Sequence, residues 1–161
     1  PIGGGANNNC VLCSLTFDLR RRGYDVRAQR ATDGWDYDDL KHWYPDMKYK
    51  SNALSEKQPS TDEFISMDSR KKAEYASKCI KSLTSMGDGA RGVACVKWGL
   101  SQGGHATAFE VKNGKVRMYD PQSGDEYPDV GRYFMRTWDC KVARLDNIKP
   151  DPRTIKEVTH K

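Results

Sequence analysis

The amino-acid sequence predicts an α+β domain, in which an N-terminal helix packs on a mainly antiparallel sheet. Three observations support this class. An amphipathic run starts at Cys10, alternating apolar and polar residues dominate after residue 90, and Asn113-Gly114 separates two of the alternating runs. A leading helix followed by a meander of strands is typical of α+β folds. At 161 residues, the chain fits one domain of common size.

Helical periodicity and stop signals predict three helices, which cover residues 10–22, 35–44 and 69–83. Gly23 and Pro45 end the first two helices, because glycine favours a helix C-terminus and proline cannot continue a helix. In the third helix, apolar residues recur at helical spacing with Lys and Glu between them. The interval 46–66 has no sustained period.

Period-two alternation predicts the strands, which cover residues 24–28, 92–98, 105–111, 115–119 and 139–145. Residues from Asn147 onward include Pro150 and Pro152 and have the composition of a tail. We therefore expect one domain over residues 1–146, followed by a C-terminal tail over 147–161.

The strand pairing around Asn113-Gly114 can be predicted further. This dipeptide favours a two-residue type I′ hairpin turn. Pairing Lys112 with Lys115 fixes the register of the other pairs, which are Val111–Val116, Phe109–Met118, Thr107–Asp120 and His105–Gln122. His105 and Asp120 then become diagonal neighbours on one face, with backbones about 7 Å apart. Such an Asp would orient the His as a catalytic base.

Cys10 is the candidate nucleophile. A loop of Gly and Asn residues at 3–9 precedes it, and the free N–H groups of a helix start favour thiolate over thiol. A thiolate suits attack on a carbonyl carbon, with His105 as base and Asp120 as its orienting group. The oxyanion would be held by the backbone N–H of Cys10 and by a side-chain amide, either Asn9 or Gln122.

The five cysteines form an odd and dispersed set. Cys10 and Cys13 make one Cys-x-x-Cys motif, but no second such pair and no His-x-x-x-His completes a zinc site. A thioredoxin-like redox pair would follow a buried strand, whereas a Gly/Asn loop comes first here. We therefore predict neither a metal nor a cofactor.

Composition argues against several functional classes. The net charge is +5, yet the basic residues are interleaved with acids, which disfavours nucleic acid as a partner. Only 37% of residues are hydrophobic, and no apolar run reaches the length of a membrane span. The chain begins with Pro and lacks a basic and apolar leader, so we expect it to be part of a longer polypeptide.

The chain resembles a known family in three separate stretches. The first comprises Asn9 to Cys13 and the following residues 18–26, the second is Gly104-His105, and the third is Tyr119 to Gly124. These stretches are similar to the papain-fold toxins of bacterial polymorphic toxin systems, the Tox-PL group of glutamine deamidases. The resemblance implies a papain-like cysteine-hydrolase fold, a Cys-His-Asp triad and deamidation of a glutamine in a target-cell protein. It also implies release from a bacterium as part of a larger polypeptide, action in the target-cell cytoplasm, and a cognate immunity protein.

Alternatives exist both for the nucleophile and for the function. Papain itself carries a Cys-x-x-Cys motif whose second cysteine reacts, which would point to Cys13. We favour Cys10 because it lies at the helix start, whereas Cys13 lies one turn inside.

The reaction also has an alternative, because Cys10, His105 and Asp120 would serve a cysteine protease equally well. Similar domains occur beside phage head-morphogenesis proteins, so a non-catalytic binding module is the third interpretation.

Overall fold

The computed structural model describes residues 10–28, 37–156 and 159–160. Its helices are α1 (Cys10–Arg21), α2 (Tyr37–Trp43), α3 (Thr61–Ser66), α4 (Ser69–Thr84), α5 (Val130–Met135) and α6 (Pro152–Ile155). Its strands are β1 (Arg27–Ala28), β2 (Tyr49–Ala53), β3 (Arg91–Trp98), β4 (Gly104–Lys112), β5 (Lys115–Tyr119), β6 (Glu126–Tyr127), β7 (Thr137–Arg144) and β8 (Thr159–His160).

An antiparallel sheet forms the centre of the domain. Within the described ranges it has six strands in the order β2-β7-β3-β4-β5-β6, while β1 and β8 pair separately. Successive β3 residues enter different cores: Val93 packs with α1, α2 and α6, and Ala94 packs with α4 and α5. Side chains of a strand alternate between the two faces of the sheet. Because helices cover both faces, side chains on both sides of β3 are buried. The predicted α+β class is confirmed.

Helix α1 forms where the sequence predicts it. Leu12, Leu15 and Leu19 share one face and are buried against the sheet. Burying each leucine contributes roughly 1.5–3 kcal/mol. The helix ends at Arg21, Gly23 follows with a φ of +94°, and the Tyr24 N–H donates to the Leu19 carbonyl at 3.1 Å. A left-handed glycine of this kind closes the helix and satisfies its last carbonyl groups.

A buried carboxylate fixes the C-terminal half of α1. Asp18 accepts hydrogen bonds from Arg22 Nε at 2.7 Å and from the Tyr44 hydroxyl at 2.6 Å. The Arg22 guanidinium also donates to the Leu145 carbonyl and, at 2.9 Å, to the Ile148 carbonyl. A buried ion pair is tolerated when its remaining polar atoms are satisfied. This network therefore connects α1 to α2 and to the segment after β7.

The predicted hairpin register is confirmed from Lys112–Lys115 up to Ala108–Tyr119. Asn113 and Gly114 both have positive φ, as a type I′ turn requires. The two further pairs, Thr107–Asp120 and His105–Gln122, are wrong because the ladder ends at Tyr119. The Asp120 carboxylate accepts the N–H groups of Gln122 and Ser123, and the intervening Pro121 has no N–H, so the chain turns there.

Four elements lie where we predicted none: β2 and α3 within 46–66, β6 at residues 126–127, and α5 before β7. The segment from residue 147, which we predicted as a tail, contains α6 and β8. Ile155 is buried in the core beside α1, and the Asp151 N–H donates to the Trp43 carbonyl at 2.7 Å. The described part of this segment therefore packs on the domain. No helix in the described ranges is both long and apolar enough to cross a membrane.

Candidate active site

The site lies where β4 continues past the end of β5. Because the ladder between these strands stops at Ala108, the edge of β4 before that residue is open to another element. The first turn of α1 occupies this edge. The Ala106 carbonyl accepts the Ser14 hydroxyl at 3.3 Å, and the Ala106 backbone N–H donates to the Cys10 sulfur. The start of α1 is thus held beside His105, the neighbouring residue of β4.

Cys10, His105 and Asp120 are brought together as a hydrogen-bonded chain. His105 Nε2 lies 2.9 Å from Asp120 Oδ2, and the same imidazole is hydrogen-bonded to the Cys10 thiol. Since Nε2 contacts the carboxylate, Nδ1 is the ring nitrogen available to the sulfur. The side chains of His105 and Asp120 are 15% and 14% exposed, so solvent screens their interaction only partly.

The surroundings favour charge on both members of the Cys10–His105 pair. Burial by itself would raise the pKa of the Cys10 thiol, but hydrogen bonds from His105 and from the backbone N–H groups of Ala106 and Val11 lower it overall. Burial would likewise lower the pKa of His105, but its hydrogen bonds with Cys10 and Asp120 raise the pKa overall. These opposite shifts are those of a thiolate–imidazolium pair.

Asp120 is held by donors on both carboxylate oxygens. Oδ1 accepts the backbone N–H groups of Gln122 at 2.9 Å and Ser123 at 3.3 Å. Oδ2 accepts the Tyr127 hydroxyl at 3.3 Å in addition to His105. Burial would raise the pKa of Asp120, but the hydrogen bonds from His105 and the backbone lower it overall. The carboxylate therefore stays ionised and fixes the orientation of the imidazole.

The imidazole also has an aromatic neighbour. Trp98 stacks on His105 with ring centroids 6.3 Å apart and planes 22° apart. Trp98 also packs edge-on against Tyr133 at 5.5 Å, and the Arg136 guanidinium lies above its ring at 5.8 Å. Neither Trp98 nor Tyr127 could be assigned to this site from sequence, because both contacts depend on how distant strands and α5 pack.

Cys13 has a different environment from Cys10. Its side chain is half-buried, and burial together with the nearby charges of Cys10 and Asp120 raises the pKa of its thiol. At a given pH, a smaller fraction of Cys13 than of Cys10 is therefore thiolate. This difference favours Cys10 as the nucleophile.

The two remaining predicted site residues are Asn9 and Gln122. Asn9 lies outside the described residues. Gln122 is exposed in the turn after β5, where its backbone N–H supports Asp120. In the described ranges, no group of three or more His, Cys, Asp or Glu residues is placed to hold a metal ion.

Comparison with known proteins identifies one family. A family model described as papain fold toxin 1, glutamine deamidase, matches residues 8–125. This match covers more than half of the chain and includes Cys10, His105 and Asp120. The inner strand β7 lies beyond the end of the matched range. Searches of curated proteins and of solved structures found no significant match.

Proposed function

Because this chain belongs to the papain fold toxin 1, glutamine deamidase family, we propose that it is a cysteine amidohydrolase that converts a protein glutamine into glutamate. Cys10 is the nucleophile, His105 the general acid and base, and Asp120 the group that orients the imidazole. The observation that carries the proposal is the hydrogen-bonded chain from the Cys10 sulfur through His105 to Asp120.

In the first half of the reaction, the Cys10 thiolate bonds to the side-chain amide carbon of the glutamine. The carbonyl electron pair moves to oxygen and gives a tetrahedral oxyanion. As the carbonyl re-forms, His105 gives its proton to the amide nitrogen, which leaves as ammonia. The products are a thioester on Cys10 and a neutral imidazole.

In the second half, water replaces ammonia. Neutral His105 takes a proton from a water molecule while the water oxygen bonds to the thioester carbon. Collapse of the second tetrahedral species breaks the C–S bond and restores the thiolate–imidazolium pair. The new carboxyl group then loses its proton to solvent, so the substrate gains one negative charge. Asp120 keeps the same ring nitrogen protonated through both halves.

The word toxin in the family description supports a toxin role for this domain. We propose that the domain is a toxin segment of a larger bacterial polypeptide, which is secreted or injected and acts in the cytoplasm of a target cell. A target-cell protein carrying a reactive glutamine is the substrate. A cognate immunity protein protects the producing cell.

The test uses lysate of a susceptible cell incubated with the protein in water enriched in ¹⁸O. Hydrolysis through a thioester predicts glutamine peptides that are heavier by about one dalton in ordinary water and about three daltons in labelled water. Spontaneous deamidation is subtracted with a parallel incubation of the His105→Ala variant. New peptide termini without glutamine modification would instead indicate a cysteine protease. If neither deamidated glutamines nor new termini are found, the proposal that this protein is a cysteine hydrolase is refuted.

A further inference from the structure

We propose that a groove along α1 binds the substrate segment next to the reactive glutamine, and that Arg20 pairs there with an acidic side chain of that segment. This inference rests on the proposed glutamine deamidation and adds the feature by which the enzyme selects its substrate.

One face of α1 forms the groove. Its volume is about 530 Å³, and its described lining residues are Cys13, Thr16, Phe17, Arg20, Arg21, Ala28 and Pro121. The α1 residues of this set recur at spacings of three and four, so they share one side of the helix. Ala28 of β1 and Pro121 form the other walls. A concavity of this size is within the range of sites that bind small ligands or side chains.

The groove starts beside the catalytic residues. Cys13 lies one helical turn from Cys10, and the charges of Cys10 and Asp120 both act on its thiol. Pro121 directly follows Asp120 in the turn after β5. A polypeptide that presents a glutamine to Cys10 can therefore continue along this face of α1.

The far end of the groove is basic. Its described lining includes two arginines and no acidic residue. Arg21 is held in place by Glu110 at 2.9 Å and lies over the Phe17 ring at 5.2 Å. Arg20 is exposed, and no acidic side chain among the described residues pairs with it. Arg20 is thus the groove cation left for a ligand, and carboxylates match the guanidinium fork.

Helix geometry sets the position of the acidic residue. Arg20 lies ten residues after Cys10, a distance of about 15 Å along the helix axis. Its side chain leans back toward the helix N-terminus, which shortens the span. An extended substrate advances about 3.3 Å per residue. The acidic residue is therefore expected roughly three to five residues from the glutamine.

The test starts from the glutamine that the wild-type protein deamidates most strongly in lysate. We expect an Asp or Glu within the predicted interval on one side of it. The purified substrate with that acid replaced by Lys should be deamidated at least about tenfold more slowly by the wild type, which corresponds to about 1.4 kcal/mol. Arg20→Glu should lose activity on the natural substrate and regain it on the Lys-bearing one. Arg70→Glu, a charge reversal at an exposed arginine of α4 that pairs with Glu74 outside the groove, should behave as the wild type.

Several results would overturn the inference. These are the absence of an acid in the interval, a phosphorylated residue in its place, or equal rates for wild type and Arg20→Glu on both substrates. Iodoacetamide labelling of Cys10 at the wild-type rate verifies that Arg20→Glu is folded around an intact site. If the wild type deamidates no glutamine, the proposed function itself fails, which is a different result from deamidation without acid preference.

Discussion

The Cys10 sulfur receives its stabilising contacts from two elements that are distant in sequence. The Val11 N–H belongs to the start of α1, whereas the Ala106 N–H and the imidazole of His105 belong to β4. The sequence predicted the contributions of the helix start and of His105, but not that of Ala106. The structure adds a donor from the open strand edge, which explains how a largely buried thiol keeps a pKa below its usual value. The thiolate is thus stabilised by the junction of helix and strand.

Replacing Asp120 by Asn should change the pH dependence of deamidation. Asp120 helps to raise the pKa of His105, so its loss lowers that pKa. The alkaline limb of kcat/KM reports loss of the imidazolium proton and should therefore move to lower pH. We also expect kcat/KM at neutral pH to fall by about 10²- to 10⁴-fold, because the ring loses its orienting carboxylate.

The matched control is Asp125→Asn, at an exposed position of the same turn. Its pH profile should equal that of the wild type. An alkaline limb that stays in place in the Asp120→Asn variant would show that this carboxylate does not act on the general base.

At the scale of elements, the close approach of β3 and β4 places His105. A methyl group added at Gly104 would lie 2.3 Å from the Val96 carbonyl oxygen, so Gly104→Ala must push the strands apart next to His105. We expect a loss of about 1–3 kcal/mol in the free energy of unfolding and a marked fall in kcat of the folded enzyme. Urea unfolding and kinetics at low temperature measure the two effects separately.

Gly92→Ala provides a control for this change. Its added methyl group would lie 1.9 Å from the Ala143 carbonyl oxygen, at the other end of β3. This variant should lose stability while its folded fraction keeps its kcat. If kcat falls equally in both glycine variants, the close approach of β3 and β4 at Gly104 does not position His105.

The elements that could be predicted carry their signals locally. Leucines at helical spacing and a closing glycine define α1, and Asn113-Gly114 defines the hairpin register. By contrast, β2 is an edge strand of mostly exposed residues, so it has no clear alternation. Helices α3 and α5 have six residues each, too few to display a period. The only local signals for these two helices in the sequence are their N-cap residues, Ser60 and Asp129.

The site was predictable where it depended on the hairpin. Register placed His105 and Asp120 on one face, and they do meet, although the ladder ends before Asp120. The reason is that the Asp120 carboxylate captures its own following N–H groups, a local competition that a register argument omits. Tyr127 and Trp98 reach the site through tertiary packing, for which a single sequence carries no periodic signal.

At the scale of the whole molecule, the C-terminal segment stabilises the core around α1. Ile155 is 5% exposed and packs in the cluster that contains Cys10 and Leu12. Ile155→Ala should lower the free energy of unfolding by about 2–5 kcal/mol, as measured by urea denaturation. Arg153→Ala, at a side chain that is 93% exposed, should change it by less than about 0.5 kcal/mol. Equal stability of the two variants would contradict the packing of α6 on the domain.

The central claim is that the Cys10 thiolate attacks the glutamine. The most direct test compares Cys10→Ala and Cys13→Ala in the ¹⁸O-labelled lysate assay, with Cys79→Ala as a control for loss of a buried thiol. We predict that Cys10→Ala lowers enzymatic ¹⁸O incorporation at glutamine by at least about 10³-fold, while Cys13→Ala remains within about tenfold of the wild type. Full activity in Cys10→Ala, or its loss only in Cys13→Ala, would contradict the account.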